Sequence, residues 1–135
     1  MSAGYSETAL VQKLGLKDGM KAAILGAPDG FDDTLGALPA GVAVARRLGG
    51  SKHMVILFVT ERAVLVKRLD AVRAAIAPDG MLWVAWPKKA AKMDTDLTED
   101  VVREVVLPTG LVDVKVCAID ETWSGLKIVI RKELR

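Results

Sequence analysis

The sequence predicts an α/β fold: a three-layer sandwich around a mostly parallel sheet of about six strands, with the last strand reversed. Three observations carry that prediction. Residues 54–59 are six consecutive apolar residues, MVILFV, bounded by polar ones. Unbroken rather than alternating apolarity marks a strand buried on both faces, the habit of parallel sheets. Helical and strand patterns alternate along the chain, which implies right-handed crossovers between parallel strands. The last two apolar stretches, 112–119 and 126–131, are joined only by Asp120-Glu121-Thr122-Trp123-Ser124-Gly125. So short a connection makes a β-hairpin, and therefore one antiparallel strand.

The elements follow in order. A helix over 6–14 has Ser6 as cap and Glu7 at its positive end. Leu10, Val11 and Leu14 share its apolar face, and Gly15 closes it. A strand over 20–25 ends at the breaker-rich turn Gly26-Ala27-Pro28-Asp29-Gly30. A short helix over 31–38 carries Asp32 and Asp33 near its start. A strand over 42–45 is followed by Arg46 and Arg47, then by the loop Gly49-Gly50-Ser51. After the strand at 54–59, Thr60 is positioned as a cap. The helix over 61–77 buries Leu65, Leu69, Val72 and Ile76. Pro78-Asp79-Gly80 is expected to stop that helix, because proline cannot continue the hydrogen-bond ladder. A strand over 81–86 leads into the polar loop 88–97. Thr98 caps the next helix, with Glu99 and Asp100 in its first turn and Val101, Val102, Val105 and Val106 as its stripe. Pro108 and Gly110 end it.

Composition narrows the function. A chain of 135 residues suffices for one domain, which typically buries about 68–70% of its unfolded surface. Nineteen basic residues against seventeen acidic ones give a net charge of +2. No dense basic run is interleaved with aromatics, so nucleic acid is not expected as a partner. The amino terminus lacks a basic-then-apolar order, and no apolar run approaches the ~18 residues of a membrane span. A cytoplasmic location without membrane contact is therefore the expectation. Cys117 is the one cysteine, so no intrachain disulfide forms, and its apolar strand suggests a buried, inert thiol. His53 with a single cysteine assembles no usual metal site. No Ser-His-Asp spacing, phosphate-binding P-loop or HExxH motif occurs.

The candidate site lies where the parallel strands end, since open α/β sheets bind ligands outside their carboxyl edge. Gly26, Pro28, Asp29 and Gly30 form the turn after the first strand, and glycines there let backbone amides approach a ligand. Arg46 follows the second strand and suits a phosphate or carboxylate. Trp86, Lys88 and Lys89 end a central strand. Asp120, Glu121 and Trp123 emerge on the same edge. Trp86 and Trp123 are expected to share a wall, and Lys88 or Lys89 to pair with Asp120 or Glu121. This convergence of aromatic and charged residues reads as a non-catalytic module that binds a small anionic ligand, or an acidic protein segment.

The segments LDAVRAAIAPDGMLWVAW and KAAILGAPDG resemble the fifth-strand region and the first glycine-rich turn of the class I S-adenosylmethionine methyltransferases. The likeness covers about residues 21–132 and implies a Rossmann-like sheet ending in a hairpin. One strand and one or two helices of that fold are missing between Arg47 and His53. Gly26 matches the first glycine of the family's turn. Pro28 removes one amide from that turn, and Arg46-Arg47 stand where the family carries an acid for ribose hydroxyls. Arginine has no acceptor for them. These departures leave no cofactor as the expectation, with S-adenosylmethionine disfavoured. The alternative function implied by the resemblance is a minimal methyltransferase in which Asp29 or Glu61 replaces the ribose ligand. A third reading is a structural protein that dimerises through an uncovered sheet edge. The chain is also similar, through MSAGYS, LGAPDGF, LFVT, APDGMLWVAWPKKA, DLTEDVVREV and GLVDVKVCAIDETWSGLK, to a family of small bacterial proteins known only as a domain of unknown function. That likeness implies no activity.

Overall fold

The computed structural model describes residues 9–135. Ser6 and Glu7, the expected cap and first turn of the first helix, lie outside the described residues. The elements are α1 (Leu10–Leu14), β1 (Lys21–Leu25), α2 (Phe31–Leu35), β2 (Ala43–Ala45), β3 (Lys52–Phe58), α3 (Arg62–Ala75), β4 (Ile76–Pro87), α4 (Glu99–Val106), β5 (Leu111–Ala118) and β6 (Trp123–Ile130). One six-stranded sheet runs in the order β2-β1-β3-β4-β6-β5. Neighbours from β2 to β4 pair parallel, and β6 is antiparallel to both β4 and β5. β5 therefore points the same way as β4, and the ends of β1, β3, β4 and β5 meet at one edge. This is the α/β, Rossmann-like sandwich with a reversed last strand that the sequence predicts.

Alternate strand residues feed two cores. On one face Val55, Leu57, Val84 and Leu126 pack with Leu65, Leu69 and Val72 of α3 and with Val102 and Val106 of α4. On the other, Met54, Ile56 and Trp83 meet Val11 and Leu14 of α1 and Phe31 and Leu35 of α2. A five-residue helix has no stability of its own. α1 is held by burial of Leu14 and by the indole of Trp83, which donates to the Leu14 carbonyl at 2.9 Å. Burying Leu14 alone contributes about 1.5–3 kcal/mol.

The link from β2 to β3 is residues 46–51 alone, where a parallel crossover usually takes a dozen or more residues and a helix. The shortening expected between Arg47 and His53 is therefore built into the fold, and β2 is left as a three-residue edge strand.

Several boundaries differ from expectation. α3 stops at Ala75, and Ile76 is extended, buried and paired with Lys52. Pro78-Asp79-Gly80 does not end the helix. It forms an irregularity inside β4, because pairing jumps from Lys52↔Ile76 to Met54↔Met81. Backbone contact fixes the glycine there: a Cβ at Gly80 would stand 2.8 Å from the His53 carbonyl oxygen. Thr60 is not the cap of α3. Glu61 holds that position without a side-chain bond, and the Arg62 amide donates to Asp96 at 2.7 Å. A cap 34 residues away leaves no mark in local sequence. Trp123 lies inside β6 rather than in the hairpin loop. β5 is an exposed edge strand, irregular between Asp113 and Lys115, with Val114 and Val116 at the surface. Cys117 is accordingly half-buried instead of buried. Burial still pushes its thiol pKa up, which keeps it unreactive. No helix among the described residues is long and apolar enough to cross a membrane.

Candidate functional site

The turn after β1 opens a cavity of about 590 Å³ lined by Ile24, Gly26, Ala27, Pro28, Asp29, Gly30, Phe31, Asp32, Asp33 and Arg46. Two glycines with positive φ shape it: Gly26 at 70° and Gly30 at 83°. The first is obligatory for a second reason. A Cβ on Gly26 would lie 2.8 Å from the Phe58 carbonyl oxygen, so the ends of β1 and β3 touch backbone to side-chain space. Gly30 begins α2, where Phe31 anchors the turn against Phe58 with ring centroids 4.8 Å apart.

The charge of this cavity overturns part of the sequence reading. Arg46 does line it, but its guanidinium forms an ion pair with Asp32. Asp29 and Asp33 add two further exposed carboxylates. Three acids against one base make the wall acidic, which is unsuited to the small anionic ligand expected at Gly26, Pro28, Asp29, Gly30 and Arg46. No acid follows β2 in sequence, yet Asp32 reaches Arg46 at the end of β2 from the first turn of α2. Asp29 lines the cavity as a candidate ribose ligand; Glu61 does not.

Trp86 and Trp123 do not share a wall. Trp86 pairs with Ser124 and Pro87 with Trp123, so the two indoles fall on opposite faces of the sheet. Trp123 is core: it packs edge-on against Phe58 at 5.1 Å. Asp120 is a loop staple, its Oδ1 accepting from the amides of Thr122 and Trp123 at 2.8 Å each. Glu121 is exposed. Among the described residues no ion pair links Lys88 or Lys89 to Asp120 or Glu121. What joins the two loops is backbone, the Lys88 amide donating to the Thr122 carbonyl at 2.7 Å.

Trp86, Lys88 and Lys89 instead line a second cavity of about 390 Å³ with Pro87, Met93, Thr95, Leu97, Thr98 and Glu99. Trp86 and Leu97 belong to the core under α3 and α4, whereas Ile24 and Phe31 of the first cavity belong to the core under α1 and α2. The edge expected to be one site is thus two, divided by the sheet. Asp32 and Asp33 were legible in sequence only as acids near the start of a short helix. Met93 and Leu97, in a loop without periodicity, gave no signal. His53 serves the amino end of the sheet, its Nδ1 accepting from the Lys21 amide at 2.9 Å. No cluster of three His, Cys, Asp or Glu suited to a metal occurs among the described residues.

No protein-family model matches the chain, and no curated protein matches it. Solved structures do. A SAM-dependent methyltransferase from Aquifex aeolicus aligns at TM-score 0.60 and 14% identity, over 90% of this chain and 88% of that one. DhpI in its complex with SAH gives 0.64 at 10% identity, over 92% and 83%. Magnesium protoporphyrin IX methyltransferase from Synechocystis PCC 6803 with bound SAM gives 0.58 at 11%, over 90% and 74%. This chain has the SAM-dependent methyltransferase fold. At such identities the likeness is one of fold, and fold does not carry function with it.

Proposed function

We propose that the protein binds S-adenosylmethionine in the cavity at the 26–30 turn and acts as a minimal methyltransferase. One observation carries the reading: the cavity at the end of β1 is acidic, with Asp29, Asp32 and Asp33 around two positive-φ glycines. Such a ligand supplies a methyl group on a sulfonium cation, next to an ammonium and a carboxylate. Carboxylates favour both cations. Asp29, offered for that role from the sequence, and Asp32 are acceptors for ribose hydroxyls. Pro28 costs the turn one amide donor. The Phe31 amide is also engaged, donating to the Pro28 carbonyl at 3.2 Å. The likeness to methyltransferases whose structures hold SAM or SAH supports the same reading at the level of fold.

Calorimetric titration tests it. SAM is expected to bind tighter than about 100 μM, near −5.5 kcal/mol. SAH lacks the sulfonium charge and is expected to bind about 10-fold more weakly in so acidic a pocket. Absence of binding by both would remove the reading.

A further inference from the structure

We propose that the second cavity, walled by Trp86, Lys88, Lys89, Met93, Leu97 and Thr98, binds a planar aromatic carboxylate. Its volume of about 390 Å³ falls in the range of small-molecule sites. Trp86 lines the cavity and is only 5% exposed. Among the described residues its indole N–H makes no hydrogen bond, and it is not enclosed away from solvent, whereas that of Trp83 reaches the Leu14 carbonyl. A solvent-reachable indole N–H on a cavity wall is a donor open to a ligand's acceptor.

The remaining walls define what that ligand is. Pro87 and Leu97 are buried apolar surface, and Met93 is a large thioether held 41% exposed at the same cavity. Indole and thioether both favour an aromatic ring. Lys88 and Lys89 supply two cations. The one carboxylate in the wall, Glu99, is engaged by Arg103, so the lysines face no internal counter-charge there. Thr98 Oγ1 accepts from the Val101 amide at 3.2 Å, which leaves its own proton to donate. An apolar slot with an indole donor, a free hydroxyl proton and two amines at its mouth is matched by a flat ring bearing one carboxylate. The anion expected at the strand ends is therefore accommodated here and not at the acidic first cavity. Because the two cavities lie on opposite faces, this inference stands whether or not S-adenosylmethionine binds.

The test is a titration of the full ¹⁵N-labelled chain with 2-naphthoate and with its neutral isostere, 2-naphthamide. The three indole N–H resonances are read, and Trp86→Phe identifies the one from Trp86. A saturable shift of that resonance with 2-naphthoate is expected, with Kd below about 1 mM, and the amide binding at least ~10-fold more weakly. The double variant Lys88→Gln, Lys89→Gln should abolish the preference for the acid. An unchanged Trp83 resonance, tied to Leu14, shows that the fold persists in each variant. A Trp86 resonance that does not move, or equal affinity for acid and amide, overturns the proposal.

Discussion

Arg46 at the end of β2 is ion-paired with Asp32 in the first turn of α2. Residues 14 apart in sequence become direct neighbours because β2 lies beside β1, whose carboxyl end feeds α2. Both side chains are exposed, at 53% and 71%, so the pair contributes about 0–1 kcal/mol to stability. Its larger consequence is placement of a carboxylate at the rim of the first cavity. Asp32→Asn should therefore leave the melting temperature nearly unchanged and weaken S-adenosylmethionine binding about 10-fold, the scale of one hydrogen bond to a charged group. Unchanged affinity in a folded variant would assign the ribose hydroxyls elsewhere.

Gly26 and Gly30 separate two costs. Both have positive φ, but a Cβ at Gly26 meets the Phe58 carbonyl oxygen at 2.8 Å, while at Gly30 nothing lies within 4 Å. Gly30→Ala should lose only the conformational cost, about 1–2 kcal/mol. Gly26→Ala adds a clash with backbone that cannot rotate away, and should lose about 2–4 kcal/mol. Urea unfolding of the two variants measures the difference. Equal losses would mean that β1 and β3 separate easily at this edge.

Arg103 links α4 to the edge strand by its bond to Asp113 at 2.9 Å and is also paired with Glu99. The hydrogen bond from Arg103 lowers the Asp113 pKa below its ordinary value. A carboxylate whose folded pKa is depressed stabilises fully above the unfolded value, about 3.9, and loses that contribution as pH falls through the folded value. Wild type should exceed Asp113→Asn in stability at neutral pH, and the gap should close below about pH 4. Denaturant midpoints across pH follow this directly. A gap independent of pH would show that the variant acts through packing.

The β5 edge bears on dimerisation. It is exposed along 113–116, but pairing with β6 is irregular between Asp113 and Lys115, and both residues are charged. Bulges and edge charges are the usual means of blocking strand addition. Light scattering should give a monomer mass at all concentrations. A concentration-dependent dimer, lost on Val116→Lys, would restore the reading of a protein that assembles through its sheet edge.

The fold was legible where chemistry is local. Residues 54–59 declared a buried strand by unbroken apolarity, and Thr98 with Glu99 and Asp100 declared the start of α4. Boundaries failed where a distant group decides. Pro78-Asp79-Gly80 looks like a helix stop, but Ile76 finds a strand partner in Lys52, so the chain turns extended two residues earlier. The N-terminus of α3 is closed by Asp96 from another loop. The candidate site was half legible: its residues gather at the carboxyl edge, but they line two cavities where one was expected. Trp86 and Trp123 both end or begin strands at that edge. Their faces depend on register across β4 and β6, which a one-residue change would reverse.

Sequence alone determined the layered α/β plan, the reversed last strand and the edge at which loops gather, because apolar periodicity and turn residues act over a few neighbours. Tertiary structure alone decided the chemistry of that edge. It brought Asp32 to Arg46 and so made the first cavity acidic. It held Asp120 within its own hairpin and away from Lys88 and Lys89. It also set Trp86 and Trp123 back to back across the sheet. Charge and hydrogen bonding at a site depend on distances of a few ångströms between residues far apart in the chain, and those distances are fixed by strand order and register.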